Sequence, residues 1–235
     1  MTSSTTATKT KLTAKDVSQL TLLLSVINNS DWKALAYLIY KNPTKLQALC
    51  RKLVRCPELN GMSILHSVLR HNPPETIVNA LIKLVPEAPQ CVDCLGRLPL
   101  HICTGTRTDL ASIQLLVTAY PQGCCVQDID GKTPLHMACD TQCKLFEQDD
   151  DVETELSPPS LEVVKTLIKT KPCCVQLEDQ DGMSALEHSI FSGSDIKVVK
   201  LLQNETRKQC QISSSMEPIH IVQVKRQYTL CKSNI

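Results

Sequence analysis

Apolar residues in the middle of the chain recur at the three- and four-residue spacing that is typical of an amphipathic helix. Such patterns begin after Pro74, Asp109, Ser160 and Asp195. Asp and Ser are favoured at the N-terminus of a helix, because their side-chain oxygens accept free backbone amides. The pattern therefore predicts four short helices with one apolar face each, carried by Ile77, Val78 and Leu81; Leu110, Ile113 and Leu116; Leu161, Val164 and Leu167; and Ile196, Val199 and Leu202.

Three prolines mark where the first three of these helices are expected to end. Pro86, Pro121 and Pro172 follow the apolar patterns, and proline lacks the amide hydrogen that continues a helix. Each of these prolines stands ten residues before a glycine. The distance in sequence from the predicted end of each helix to the following turn is therefore the same in all three cases.

A glycine followed at the fourth residue by a leucine occurs four times, at Gly61, Gly96, Gly131 and Gly182. The intervals between these glycines are 35, 35 and 51 residues, so the third unit has the length of the others plus an insertion of 16 residues. Asn-Gly and Asp-Gly dipeptides favour tight turns with positive φ. Each unit, starting near residues 60, 95, 130 and 181, therefore reads as a turn, a short helix and a second helix. Units this small bury their apolar faces only by stacking, which predicts an all-α solenoid.

Three further helices are predicted before the first unit. Thr13 to Asp16 resembles a capping box, Asp31 is a second N-cap, and a third helix follows Pro43 and ends before Pro57. We expect residues 14–58 to form a helical cap on the open end of the first unit. Their basic residues are interpreted as the solvent-facing side of this cap, with a membrane-surface or calmodulin-type helix as the alternative.

The remaining segments are polar. Residues 1–13 are expected to be a disordered tail, and residues 210–235 have no evident structure. The insertion, at about residues 143–159, carries six acidic residues between Glu147 and Glu155 and is expected to be a solvated loop. It is interpreted as a tolerated surface loop, with binding of a basic partner as the alternative.

Composition removes several classes of function. The formal net charge is +1, which lacks the basic field of a nucleic-acid-binding protein, and 42% hydrophobic residues are enough for a sizeable core. We found no phosphate-binding glycine motif, no HExxH and no GxSxG, so we expect neither an enzyme nor a cofactor. No apolar run reaches the ~20 residues of a membrane span. Residues 1–15 lack the apolar core that is typical of a secretory signal, so we expect the 13 cysteines to lie in a reducing compartment, the cytoplasm or the nucleus.

The third unit carries a specific motif. Residues Gly131 to Ala138 read GKTPLHMA, and the second unit reads GRLPLHIC from Gly96. TPLHxA is typical of ankyrin repeats, so residues Asn60 to Gln203 resemble that family. The first and fourth units match less well, and the fourth has Glu187 where the others have histidine.

The resemblance implies an ankyrin-repeat solenoid of about four repeats over residues 59–209. It also implies a non-enzymatic scaffold or adaptor that binds another protein through its turns, called fingers, and through a groove along the first helices. We expect a monomer. The family's contact positions fall in the fingers at Leu95, Arg97, Ile129, Asp130, Lys132, Gln180, Asp181 and Met183, and in the groove at Arg70, His71, Gly105, Thr106, Asp140, Thr141, Phe191 and Ser192.

Phe191 is the strongest candidate anchor among these positions, because an aromatic side chain near charged residues is favoured at interfaces. The alternative is that it packs against the polar C-terminal end. By the same resemblance, a structural role in the repeat is expected for Gly61, Gly96, Gly131 and Gly182, and for three histidines whose hydrogen bonds tie each turn to its neighbour, His66, His101 and His136.

The cysteines support an alternative function. Cys91 and Cys94 have the spacing of a zinc-ligand pair, and a zinc- or thiol-dependent regulator on the same scaffold is the second hypothesis. Counted back from the next glycine, the cysteine clusters occupy different positions in the repeat. We expect them not to join in a closed site, and no metal ligand is assigned.

Overall fold

The computed structural model describes residues 12–54, 60–141, 145 and 160–215. These ranges contain eleven α-helices, three short 3₁₀ helices and no β-strand, with one isolated antiparallel bridge between Glu178 and Ser184. The predicted all-α class is confirmed. The helices are α1 (Ala14–Asn28), α2 (Trp32–Lys41), α3 (Pro43–Val54), α4 (Ile64–Leu69), α5 (Glu75–Leu84), α6 (Pro99–Gly105), α7 (Leu110–Ala119), α8 (Pro134–Cys139), α9 (Leu161–Thr170), α10 (Ala185–Phe191) and α11 (Ile196–Ser215).

The helices form two rows. In one row α4, α6, α8 and α10 contact one another in chain order, and in the other α5, α7, α9 and α11 do the same. Each helix of the first row also contacts the helix that follows it in the chain. Helix pairs that are consecutive in sequence are therefore neighbours in space, and each pair shares its apolar surface with the next.

The core runs through all of these pairs without a break. The leucine four residues after each of the first three turn glycines is 3% exposed or less, at Leu65, Leu100 and Leu135. The second row contributes side chains such as Leu116 and Leu167, which are equally buried. One continuous cluster extends from Leu20 to Leu202.

The N-terminal helices stand at the open end of the first unit, where the sequence predicted a cap. Helix α1 contacts α4, and α2 contacts α5, so this pair continues both rows by one step. The capping box of Thr13 and Asp16 is present at the start of α1. Helix α3 is held by ion pairs of Lys52 with Asp16, at 3.0 Å, and of Arg51 with Glu87.

Helices α5, α7 and α9 end two residues before the predicted prolines. Pro121 and Pro172 then begin 3₁₀ helices, Pro121–Cys125 and Pro172–Gln176, which lead into the next turn. In the last unit Arg207 stands where the others have proline, five residues after the last buried leucine. With the backbone amide retained, α11 continues to Ser215, so the predicted boundary at residue 209 is wrong.

Some predicted segments lie outside the described residues. These are the tail up to residue 11, residues 55–59 of the cap, residues 216–235 and the insertion apart from Leu145.

Candidate protein-binding surface

The turns at the start of the units share one hydrogen-bonding pattern. In the second unit Asp93 Oδ1 accepts the backbone amides of Leu95 and Arg97, both at 2.9 Å. Asp128 and Asp179 make the corresponding two bonds in the third and fourth units, at 2.8–3.0 Å. Each of these aspartates stands three residues before the glycine of its turn and stabilises that turn through these hydrogen bonds.

Successive turns are joined in register by their backbones. Ile129 N donates to the carbonyl of Leu95 at 2.9 Å, and Gln180 N donates to that of Asp130 at 2.9 Å. Two features require glycine in these turns, the positive φ and the close approach of the neighbouring turn's backbone. At Gly131, where φ is +76°, an added Cβ would lie 2.8 Å from the amide nitrogen of Gln180. The four turns thus form a rigid row, called here the finger row (residues 60–61, 94–96, 129–131 and 180–182).

Three buried histidines connect the units. Their Nδ1 atoms accept the backbone amide three residues earlier, and their Nε2 atoms donate to the carbonyl that follows the next unit's glycine. These Nε2 distances are 2.9 Å from His66 to Arg97, 3.2 Å from His101 to Lys132 and 3.1 Å from His136 to Met183. Burial lowers the pKa of His101 and of His136 to about 4, which keeps both rings neutral at pH 7.

The fourth unit ends this series. Glu187 replaces the histidine, and its Oε2 accepts the amide and the hydroxyl of Ser184 at 2.7 and 2.8 Å. The carboxylate caps its own helix but donates nothing to a following unit.

Several predicted finger residues are accessible. The exposed fraction is 51% at Ile129 and 36% at Leu95, and Asp130 and Asp181 are exposed as well. Lys132 and Met183 are half-buried, and the Lys132 ammonium lies 3.0 Å from Asp140 Oδ2. The finger row therefore exposes two apolar side chains, Leu95 and Ile129, and two carboxylates, Asp130 and Asp181.

Arg97 is not an accessible finger residue, contrary to the prediction. It is only 8% exposed, and its guanidinium lies 2.9 Å from Asp93 Oδ2. Its Nη1 also donates to the carbonyl of Leu145 at 2.7 Å. The side chain turns back to the aspartate of its own turn because that carboxylate lies four residues away.

The predicted groove is also less open than expected. Asp140, a predicted contact residue, is only 8% exposed and pairs with Lys132. Thr141 N donates to Ser192 Oγ at 3.0 Å, and Thr141 Oγ1 donates to the Ser192 carbonyl at 3.3 Å, so these two residues join the third and fourth units. Arg70 and His71, at the end of α4, are half-buried.

Leu145 from the insertion occupies the groove beside the second unit. It is 7% exposed, and an added Cβ at Gly105 would lie 2.6 Å from its Cδ1 atom. At this residue the prediction of a solvated loop is wrong. The sequence signal that could have shown the burial of Leu145 is its place as an apolar residue at the edge of the acidic run.

Phe191 is 80% exposed at the end of α10. Ile190 and Ile196, close to it in the chain, are 52% and 61% exposed. The alternative that Phe191 packs against the C-terminal helix is therefore wrong, and this end of the first helix row carries a second exposed apolar region.

Among the described residues, Cys91 and Cys94 are joined by no third His, Cys, Asp or Glu that could complete a metal site. Cys91 Sγ donates to the carbonyl of Glu87 at 3.5 Å, and Cys94 is exposed. In the part of the chain that the structure describes, no group of three or more His, Cys, Asp or Glu residues could hold a metal ion.

Comparisons with known proteins add no identity to this geometry. No protein family matches the chain, and no curated protein matches it. Among the residues described above, no helix has both the length and the apolar character needed to cross a membrane.

Proposed function

We propose that this chain is an ankyrin-repeat protein of the cytoplasm or nucleus that binds another protein and catalyses no reaction. The observation that carries the proposal is the finger row, in which hydrogen-bonded turns repeat at the interval of the TPLHxA-like segments. The repeated Asp and His hydrogen bonds support the same assignment, because they give each unit one geometry and one link to its neighbour.

The finger row has the properties of a binding surface. Leu95 and Ile129 lie on adjacent turns joined by a backbone hydrogen bond, and both side chains are exposed. Apolar side chains on a rigid backbone lose little conformational entropy when a partner covers them, so more of the burial energy is kept as affinity. Asp130 and Asp181 lie beside this pair, which favours a partner that offers an apolar side chain flanked by Lys or Arg.

Phe191 extends the proposed surface towards the fourth unit. Its ring is 80% exposed, so covering it with a partner removes apolar surface from water, and aromatic residues are enriched at protein interfaces. The proposed site therefore consists of the Leu95 and Ile129 tips, the two carboxylates and Phe191.

The test compares partner capture by matched variants of the full chain. Affinity purification with quantitative mass spectrometry is expected to show that Ile129→Asp and Phe191→Ala lose proteins that the unchanged chain retains. Leu22→Asp is the matched control, because Leu22 is 55% exposed and belongs to α1, which is not part of the finger row.

Helical circular dichroism of each variant separates loss of binding from loss of fold. Equal capture by all variants would place the interface elsewhere. Equal loss in the Leu22→Asp control would show that capture follows surface hydrophobicity in general rather than this surface.

A further inference from the structure

Two cysteines that are 48 residues apart in sequence lie in contact between the second and third units. Cys125 is the last residue of the 3₁₀ helix Pro121–Cys125, and Cys173 is the second residue of Pro172–Gln176. Their Sγ atoms are 3.3 Å apart. Both residues are only partly buried, so small molecules in solution can reach them.

The stacking of the units explains why these cysteines meet. Cys125 stands six residues before its unit's following glycine and Cys173 stands nine before, so they are not equivalent in the repeat. The two 3₁₀ helices contact each other, and the end of one lies beside the start of the next. The different repeat positions of the cysteines predicted no closed site, and Cys125 and Cys173 lie in contact although their positions differ.

The surroundings give the two thiols different roles. The hydrogen bond from Cys125, and then the positive charge of Lys171, lower the pKa of the Cys173 thiol to about 6. The same contact raises the pKa of Cys125. The positive charge of Lys171 therefore favours Cys173 as the thiolate of the pair, with Cys125 as the protonated partner beside it.

The neighbouring cysteines differ from this pair. Cys124 and Cys174 precede and follow the two residues in sequence, but both are buried. Burial raises the pKa of each thiol, to about 12 at Cys124. These two residues are therefore unreactive and provide matched controls.

We propose that Cys125 and Cys173 form a redox-active dithiol, which a hydroperoxide oxidises to a disulfide that links the second unit covalently to the third. This inference is independent of the proposed protein-binding function, because none of its residues lies in the finger row or beside Phe191.

The chemistry requires one peroxide per pair. The Cys173 thiolate attacks a peroxide oxygen, an S–O bond forms, and the O–O bond breaks with release of hydroxide, which takes up a proton to become water. Cys125 sulfur then attacks the sulfenic sulfur of Cys173. The S–S bond forms, the S–O bond breaks, and the leaving hydroxide becomes water with the proton of Cys125. Two thiols lose two electrons and two protons, and hydrogen peroxide is reduced to two water molecules.

Little movement is needed for the second step. A disulfide has an S–S distance of about 2.05 Å, so the sulfurs must approach by about 1.3 Å, which side-chain rotation can supply. A dithiol reductant reverses the reaction by thiol–disulfide exchange.

The first test identifies the bond. The full chain is reduced with dithiothreitol, desalted, treated with hydrogen peroxide, alkylated and digested, and peptides are analysed by mass spectrometry. We expect a Cys125–Cys173 cross-link that disappears in Cys125→Ser and Cys173→Ser, persists in Cys124→Ser and Cys174→Ser, and is lost after dithiothreitol. A cross-link that persists in Cys173→Ser, or no cross-link while other cysteines are oxidised, would overturn the proposal.

The second test identifies the attacking sulfur, and circular dichroism first establishes that each variant is folded. In Cys125→Ser the sulfenic acid has no resolving partner, so dimedone is expected to label Cys173 after peroxide treatment. In Cys173→Ser we expect labelling of Cys125 to be at least tenfold lower. Equal labelling of the two variants would contradict the assigned roles.

Discussion

Replacement of Arg97 by methionine tests whether this residue holds the second turn together rather than contacting a partner. Methionine keeps a long apolar stem but removes the guanidinium. The change leaves the Asp93 carboxylate, whose side chain is 3% exposed, without its cation at 2.9 Å. It also removes the donor to the Leu145 carbonyl.

The magnitude follows from burial. Loss of one partner of a buried ion pair costs about 3–5 kcal/mol, because the remaining charge is desolvated and uncompensated. Asp93 Oδ1 keeps its two backbone amide donors, which favours the lower end of this range. We therefore expect the free energy of unfolding to fall by about 3 kcal/mol, against about 1 kcal/mol or less for an exposed pair.

Urea unfolding followed by circular dichroism at pH 7 measures this loss. The matched control is Lys165→Met, which breaks the exposed Lys165–Glu162 pair, with side chains 47% and 60% exposed. A loss at Arg97→Met no larger than that of the control would refute the structural role.

Three further predictions concern stability. His101 and His136 have a pKa near 4 in the folded protein, whereas about 6.5 is usual in the unfolded chain. Because the unfolded state binds more protons, each histidine is expected to lower the free energy of unfolding by about 2 kcal/mol between pH 7 and pH 5. Urea midpoints at both pH values measure this, and a His101→Gln variant without a smaller pH dependence would contradict it. Gly131→Ala and Gly182→Ala both place alanine at a positive φ, which costs about 1–2 kcal/mol. Of these two sites, only at Gly131 does the added Cβ meet backbone, at 2.8 Å, so we expect a larger loss in Tm there. An equal loss in Tm would argue against the contact between the turns. Leu145→Ala is expected to lower the free energy of unfolding by about 2 kcal/mol, because a buried side chain is removed; an unchanged urea midpoint would show that Leu145 packs weakly in solution.

Local features of the chain were predictable from its sequence. The helices follow from apolar spacing and from capping residues such as Thr13 and Asp31, whose side chains accept amides three residues away. The turns follow from glycine after Asn or Asp, as at Gly131. The extension of α11 was also readable, because Arg207 replaces the proline that ends the equivalent helices. These features depend on residues within one or two helical turns of each other, where sequence spacing determines distance.

The candidate site was predictable only in part. Leu95, Ile129 and Phe191 are exposed where the resemblance placed contact residues, but Arg97 and Asp140 are buried in ion pairs. Nothing in the repeat pattern distinguishes these cases, because burial depends on what the neighbouring unit and the insertion place over each side chain.

Contacts between distant residues arise from stacking alone. Leu145 reaches Gly105 across the groove, and Cys125 reaches Cys173 across 48 residues and two different repeat positions. The chain specifies each unit through short-range hydrogen bonds and apolar periodicity. The distances between units are set by how the packed faces fit together, and that fit depends on side-chain shapes on both sides of every interface.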